Sequence, residues 1–418
     1  MVFTILFLMM VALSVGLRLW LASRQIRHIA QHSDAVPDAF TGQIKLEAHQ
    51  KAARYSIAKT RLGMINLFIE TAVLLGFTLL GGLQWIQSYT ASMGHGLLSG
   101  LALVAAVGFI SSLIDLPLAY YKQFKLEADF GFNRMTKALF FGDWVKGLAL
   151  GAAIGAPLLL VVLYLMREAG PFWWVAAWLV WFGFSLLMMW LFPTVIAPLF
   201  NKFTPLQEGD TRNRILELLK RCGFDSDGLF VMDGSKRSSH GNAYFSGMGK
   251  AKRIVFFDTL LSRLNDDQIE AVLAHELGHF KKKHITKHLV FSGLSSFVLF
   301  FVLGQLLTAP WFYSGLGVTP DFINGPHAMA LVLFAMTLPY FTFPFRPLLS
   351  WLSRKHEFEA DEYAAQQSAA QHLVSALVKL YEDNASTLTP DRLHSAFYDS
   401  HPPAAIRIAH LKSLGALT

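Results

Sequence analysis

The chain has 418 residues, 53% of them hydrophobic and 16% charged, with a mean hydropathy of +0.40. It is too apolar for a set of soluble domains, and its apolar residues gather into long windows with the charges between them, the pattern of a polytopic membrane protein. The formal charge of +7 comes without an Arg/Lys-rich helix, a finger or an aromatic-basic surface pattern. This excludes nucleic acid as the partner and points to anionic lipid headgroups. The one cysteine, Cys222, excludes an intrachain disulfide and a cysteine-based metal site, and reads as a buried small hydrophobe.

In chain order, residues 2–21 are long enough to cross the hydrocarbon, with Arg18 able to snorkel near the end. No basic stretch precedes this segment and no cleavage site follows, so it is expected to remain as a span. The polar stretch 22–61 reads as a soluble helix or helix pair. A second span is expected over about 62–86, with Glu70 inside it, and a third over about 97–120, with Asp115 near its far end and Pro117 set to kink or end it. The basic loop 121–144 contains LEADFGFN at 126–133. The fourth span, about 145–166, has small residues that allow close helix approach, among them Gly147, Gly151 and Gly155. The fifth, about 172–200, opens with Trp173 and Trp174, which suit an interfacial belt.

Residues 201–288 form a soluble region with an amphipathic helix over 213–221, strands over 229–232 and 253–257, and a short extended core within 235–250. Spans six and seven follow over about 289–308 and 328–345. The last portion, 346–418, is polar and helical, with an amphipathic helix around 373–381 and SHPPAAIRIAHL at 400–411. The expected organisation is therefore a membrane domain over 1–200, a catalytic part over 201–288, two more spans within 289–345 and a second catalytic part over 346–418.

The catalytic reading rests on AVLAHELGHF at 271–280, which contains His-Glu-x-x-His as His275, Glu276 and His279. On a helix the two histidines lie one turn apart on one face and can share a Zn²⁺ ion, while Glu276 points toward the edge of that face and can take a proton from water. Asn265 and Gln268 supply a capping box, and Gly278 permits close approach beside the second histidine. A catalytic zinc needs a third protein ligand. The best source is SRKHEFEADEY at 353–363, where Glu357 would bind the metal and Asp361, four residues on, would accept a hydrogen bond from a ligand histidine. Glu359 falls on another face and is expected to be solvated. His240, His284, His288 and His356 are rival ligands, His356 foremost because it adjoins Glu357. His401 and Arg407 are candidate donors to a developing oxyanion, and residues 242–245 offer a strand edge to an extended peptide.

Lys and Arg load the connections after spans one, three, five and seven, and those after two, four and six hold only Arg167. The positive-inside rule then puts the N-terminus outside and both catalytic parts in the cytoplasm. Two spans separate His279 from Glu357, an even number that returns them to one side; an odd number would keep the ligands apart. The non-enzyme readings are a transporter or channel lined by Glu70 and Asp115, and a scaffold around an inert zinc, and neither requires the Glu276 carboxylate.

The combination resembles the integral-membrane zinc metalloproteases of the CaaX prenyl protease type 1 (Ste24-like, peptidase family M48), and does so along the whole chain. The residues that carry the resemblance are HELGH at 275–279, the pair Glu357 and Asp361, RSSHGNAYFSG at 237–247, RIVFFDTLL at 253–261, GFN at 131–133 and SHPP with Arg407. Ile406 departs from the glutamate frequent before that arginine. The resemblance implies seven transmembrane helices enclosing a chamber capped by a mainly helical metalloprotease domain with a small β-sheet. It also implies one zinc held by His275, His279 and Glu357, with Glu276 as general base and Asp361 behind the ligands. His401 and Arg407 would lie near the substrate and its oxyanion, and Asn242 and Ala243 along the peptide backbone. Eukaryotic members cut three residues from a farnesylated CaaX terminus. The lack of a di-lysine ending and the short tail point to a bacterial inner-membrane member, for which a quality-control endopeptidase acting on non-prenylated proteins is the alternative. The expected partners are a peptide or protein substrate, lipidated or membrane-associated, and membrane lipids, and the chain is expected to act as a monomer.

Overall fold

The computed structural model describes residues 1–92, 96–226, 228–246, 253–323 and 325–415. Residues 93–95 of the loop after span two and 247–250 of the stretch before the second strand lie outside them. Seven helices are long and apolar enough to cross a membrane: Val2–Gln31, Leu46–Phe77, Leu97–Asp129, Lys137–Glu168, Gly170–Phe200, His284–Leu306 and His327–Gln367. Each contains or overlaps one of the seven expected spans. In the first six, no more than 17% of the most apolar window is buried, so these helices touch each other over narrow strips. In the seventh, 44% of that window is buried, because Ala328, Met329, Val332, Leu333 and Tyr340 pack into the core shared by the membrane helices; its far half carries on into the catalytic part.

The expected soluble helix or helix pair after span one is present as extensions of the two spans and not as separate helices. The first helix continues to Gln31, a single 3₁₀ turn spans Asp38–Phe40, and the next helix runs unbroken from Leu46 to Phe77. No glycine or proline stands between Leu46 and Arg61, so nothing stops the helix at the edge of the polar stretch. Span two instead ends early, at Phe77, ahead of Gly81, whose φ of 85° only glycine adopts readily, and a short helix covers Gly82–Ala91. The third span is not ended by Pro117; it carries through and loosens five residues later in a π turn over Lys122–Leu126.

The soluble parts hold a four-stranded sheet in the order β1-β2-β4-β3. β1 (Phe203–Pro205) runs antiparallel to β2 (Leu229–Met232), β2 parallel to β4 (Arg253–Phe257), and β3 (Ala243–Ser246) antiparallel to β4. β2 and β4 have the expected limits, whereas β1 is too short to show an alternating pattern. Against the sheet pack the helices Asp210–Cys222, Asp266–Lys281, Ala370–Asp383 and Ala404–Gly415, and their apolar faces share one core. Leu218, Ile254, Phe256, Leu273 and Leu277 from the first soluble part meet Leu373, Leu377 and Ile408 from the second in that core. The two parts are therefore one folded unit interrupted by two membrane helices. Cys222 is half-buried at its margin, with Sγ 3.5 Å from Gln367 Oε1.

Candidate metal centre

The helix Asp266–Lys281 begins at Asn265, whose side chain accepts from Gln268 N while Gln268 returns a bond to Asn265 N, the expected capping box. Its buried face, Ile269, Leu273 and Leu277, fixes its rotation on the core and turns His275 and His279 toward the helix Arg346–Gln367. Gly278 sets the separation, since a Cβ there would stand 2.9 Å from both Cα and O of Ala360. No other residue type allows the two helices to approach this closely.

That approach brings Glu357 between the histidines. His275 Nε2 and His279 Nε2 are 3.2 Å apart, and they lie 3.4 Å and 3.3 Å from the Glu357 Oε2 and Oε1. Donors each 2.0–2.2 Å from a tetrahedral zinc stand about 3.3 Å from one another, so the three groups already trace one face of the coordination shell. The chemistry of the set agrees: two imidazoles and one carboxylate, with Glu357 Oε2 buried and lacking an aligned hydrogen-bond donor. Among the described residues this is the one cluster of histidine, cysteine and acidic side chains placed to hold a metal.

Behind the ligands, His275 Nδ1 is 2.8 Å from Asp361 Oδ1. Arg407 grips both oxygens of Asp361, from Nε and Nη2, at 2.7 Å each. Its Nη2 also lies against the His275 ring, 3.0 Å from Nδ1 and 3.1 Å from Nε2. Burial and the Arg407 charge oppose a proton on His275, but the Asp361 and Glu357 carboxylates outweigh them and hold its pKa up. Burial likewise opposes the Arg407 charge, and its paired bonds to Asp361 more than offset this, so the guanidinium stays ionised. Arg407 is 6% exposed and sits behind the ligands, away from the open side of the site. His401 is on that open side, its side chain 60% exposed and its Nδ1 2.8 Å from Glu357 Oε2. Glu276 is half-buried at the edge of the histidine face.

Asn242 is exposed at the start of β3, its carbonyl accepting from Phe257 N. Among the described residues β3 pairs only with β4, and on its outer edge the Ala243 N–H is taken by Asn242 Oδ1 at 2.8 Å. None of the rival histidines joins the cluster, although His284 Nδ1 lies 3.0 Å from His279 Nδ1. His240 is held by Asn384, and His356 stacks on His284 at 4.1 Å and meets His288 edge-on at 5.3 Å. Glu359 is not a solvated surface group: it accepts from His284 Nε2 at 3.0 Å and from Lys287 Nζ at 3.4 Å. The contact was hidden in the sequence because the chain breaks direction at Lys283, so helical spacing from His279 does not reach His284. Glu70 and Asp115 both lie exposed on their helices.

A chain whose seven membrane helices carry a His-Glu-x-x-His helix completed by a distant glutamate is a zinc-dependent membrane metalloendopeptidase. Residues 205–414 match peptidase family M48, and residues 25–202 match the CAAX prenyl protease N-terminal family of five membrane helices. The chain belongs to family M48, in its Ste24-like, CAAX prenyl protease branch. It is 34% identical to the CAAX prenyl protease 1 of Saccharomyces cerevisiae, over 94% of this chain and 91% of the relative. It is 31% identical to the CAAX prenyl protease 1 homolog of Homo sapiens, over 94% and 92%. The crystal structure of S. mikatae Ste24p superposes with a TM-score of 0.92 at 33% identity, covering 98% of this chain and 99% of that one. These relatives are eukaryotic, and they give no support to the expected bacterial origin.

Proposed function

We propose that the chain holds one zinc ion on His275, His279 and Glu357 and cleaves peptide bonds near the C-terminus of CaaX-type prenylated substrates. The observation that carries the metal reading is the convergence of two imidazoles and one carboxylate: the Nε2 atoms of His275 and His279 are 3.2 Å apart and lie 3.4 Å and 3.3 Å from Glu357 Oε2 and Oε1. Zinc bound there would make a water acidic enough to lose a proton near neutral pH and would polarise the scissile carbonyl. The Glu276 carboxylate takes that proton and returns it to the leaving amide nitrogen. His401 turns Nδ1 to Glu357, which leaves its other ring nitrogen on the open side to meet the developing oxyanion. Asp361 holds His275 in the tautomer that frees Nε2 for the metal, and Arg407 positions Asp361 rather than touching substrate. The substrate backbone lies along the outer edge of β3, starting at Asn242 and Ala243.

In this reading residues 1–200 and 289–345 form the membrane part around a chamber, and 201–288 with 346–418 form the catalytic part. The charge distribution puts the N-terminus outside and the catalytic part in the cytoplasm. The chain acts as a monomer on a membrane-associated peptide. The substrate class rests on the activity for which the chain-long relatives are named.

The test uses protein purified in detergent, assayed for zinc and for cleavage of a farnesylated CaaX peptide and its unprenylated twin, as wild type and as Glu276→Gln. The expected result is about one zinc in both proteins, with cleavage of the farnesylated peptide by wild type alone. Equal cleavage of both peptides would replace the substrate reading with a broader quality-control endopeptidase. Absence of zinc from intact wild type would overturn the catalytic assignment.

A further inference from the structure

His284 and Glu359 have no part in the mechanism above, yet they are placed against it. His284 is 2% exposed and is the first residue of the sixth membrane helix. The preceding residue, Lys283, has φ 58°, a left-handed conformation that a residue with a Cβ adopts only at a cost. This turn ends the zinc-site helix and folds His284 back, so that its Nδ1 lies 3.0 Å from Nδ1 of His279. On the far side its Nε2 lies 3.0 Å from Glu359 Oε2, which Lys287 Nζ also approaches at 3.4 Å. His356 stacks on the ring at 4.1 Å with an interplanar angle of 17° and fixes its plane.

Proton placement follows from the chemistry of imidazole. His279 turns Nε2 toward His275 and Glu357, and a nitrogen that binds a metal carries no proton, so the proton of neutral His279 is on Nδ1. A protonated Nδ1 at 3.0 Å requires an acceptor, so His284 Nδ1 is bare and its proton is on Nε2, where Glu359 accepts it. With both rings neutral, one assignment of protons satisfies all three positions.

We propose that His284 and Glu359 form a relay that sets the tautomer and orientation of His279, and that His284 is a positioning residue of the metal site. The two ligand histidines are then supported in different ways. His275 reaches a carboxylate directly, at Asp361, and His279 reaches one through an intervening imidazole. Both carboxylates stand on the helix that carries the ligand Glu357, at 359 and 361. The relay also ties the first turn of a membrane helix to a metal ligand.

The inference rests on zinc being held by His275, His279 and Glu357, and the experiment separates failure of that reading from failure of the relay. Full-length protein in detergent is prepared as wild type, His284→Ala, His284→Gln, Glu359→Gln and Glu359→Leu. Zinc affinity is measured by chelator competition, and melting temperature is measured in the metal-free and zinc-loaded forms. The relay predicts that His284→Ala and Glu359→Leu lose about 10–100-fold in zinc affinity while their metal-free melting temperatures stay near wild type. Glu359→Gln keeps an acceptor oxygen and recovers most of the affinity, and His284→Gln, which can still accept from His279, recovers part of it. Wild-type affinity in His284→Ala and Glu359→Leu would overturn the relay. So would an affinity loss matched by an equal fall in metal-free stability, because that is the mark of a packing role. Wild type that binds no zinc would overturn the metal reading itself.

Discussion

Gly278 faces Ala360 so closely that an added Cβ would stand 2.9 Å from the Ala360 Cα and carbonyl oxygen. The contact is backbone against backbone, with no flexible side chain to give way, so Gly278→Ala must push the two ligand-bearing helices apart. Helix propensity favours alanine by about 1 kcal/mol, and overpacking costs about 1–3 kcal/mol, so the two terms oppose each other. The geometry predicts that overpacking wins: the variant melts at a lower temperature and holds zinc more weakly, because Glu357 moves relative to both Nε2 atoms. A variant that melts higher and keeps its full zinc content would mean that the site does not depend on this approach.

Arg407 separates two explanations of one inactive variant. A donor to the oxyanion would leave metal binding intact when removed, whereas a buried brace would not. Arg407 is 6% exposed and spends two of its donors on Asp361, so Arg407→Ala leaves that buried carboxylate without its cation. Breaking such a pair costs about 3–5 kcal/mol. Lysine cannot reproduce the two-pronged grip, so Arg407→Lys is expected to restore only part of the stability. Zinc content should fall together with activity in Arg407→Ala. Full zinc occupancy with a loss confined to kcat would return Arg407 to the oxyanion.

The parts of this molecule legible in the sequence are those written in local periodicity or in a fixed short spacing. The seven apolar windows, the capping box at Asn265, β2 and β4, and the positions of His275, His279, Glu357 and Asp361 are of this kind. Span limits were less legible, because an α-helix ends where a glycine, proline or cap stops it and not where polarity changes. For that reason the second long helix begins at Leu46, sixteen residues (62 − 46) before the apolar window expected from about Leu62. The contacts behind the ligands were hidden for a different reason. Arg407 reaches Asp361 across the packing of two helices, and His284 reaches His279 across a left-handed turn, and neither approach leaves a repeat in the chain.

Asp391 joins the catalytic part to the first membrane helix. It accepts from Arg24 Nη2 at 2.8 Å, caps the helix Arg392–Tyr398 through Leu393 N and His394 N, and its own N–H donates to Gln25 Oε1. Burial favours the neutral acid, but the Arg24 bond and the His394 N–H outweigh it and depress the pKa. A depressed carboxyl contributes stability above its unfolded value, about pH 4, and loses that contribution as pH falls through the lower folded value. Asp391→Ala is therefore expected to cost about 2 kcal/mol near neutral pH. Melting curves of wild type and variant should be well separated at pH 7 and converge as the pH drops below about 4. A constant separation over that range would show that the ionised carboxylate is not what holds the two parts together.

His240 connects the basic membrane loop to the strand edge on which the substrate is proposed to lie. Its ring stacks on Phe132 at 4.4 Å, its Nδ1 is 3.1 Å from Asn384 Oδ1, and its Nε2 is 3.7 Å from Glu127 Oε2. Glu127 in turn accepts from the Tyr55 hydroxyl through both oxygens, at 2.8 and 2.9 Å. LEADFGFN thus supplies Glu127 and Phe132 as a cradle for a residue two positions before Asn242, while Asn384 receives the Gly241 N–H from the other side. Loss of the ring should let the start of β3 shift without touching His275, His279 or Glu357. His240→Ala is expected to raise KM for a peptide substrate about tenfold, which is roughly the worth of one hydrogen bond in a partly buried setting. Zinc affinity should remain at the wild-type value, and Tyr55→Phe should show a smaller shift of the same kind. A fall in zinc affinity in His240→Ala would instead place the cradle in the support of the metal site, and an unchanged KM would separate it from substrate binding altogether.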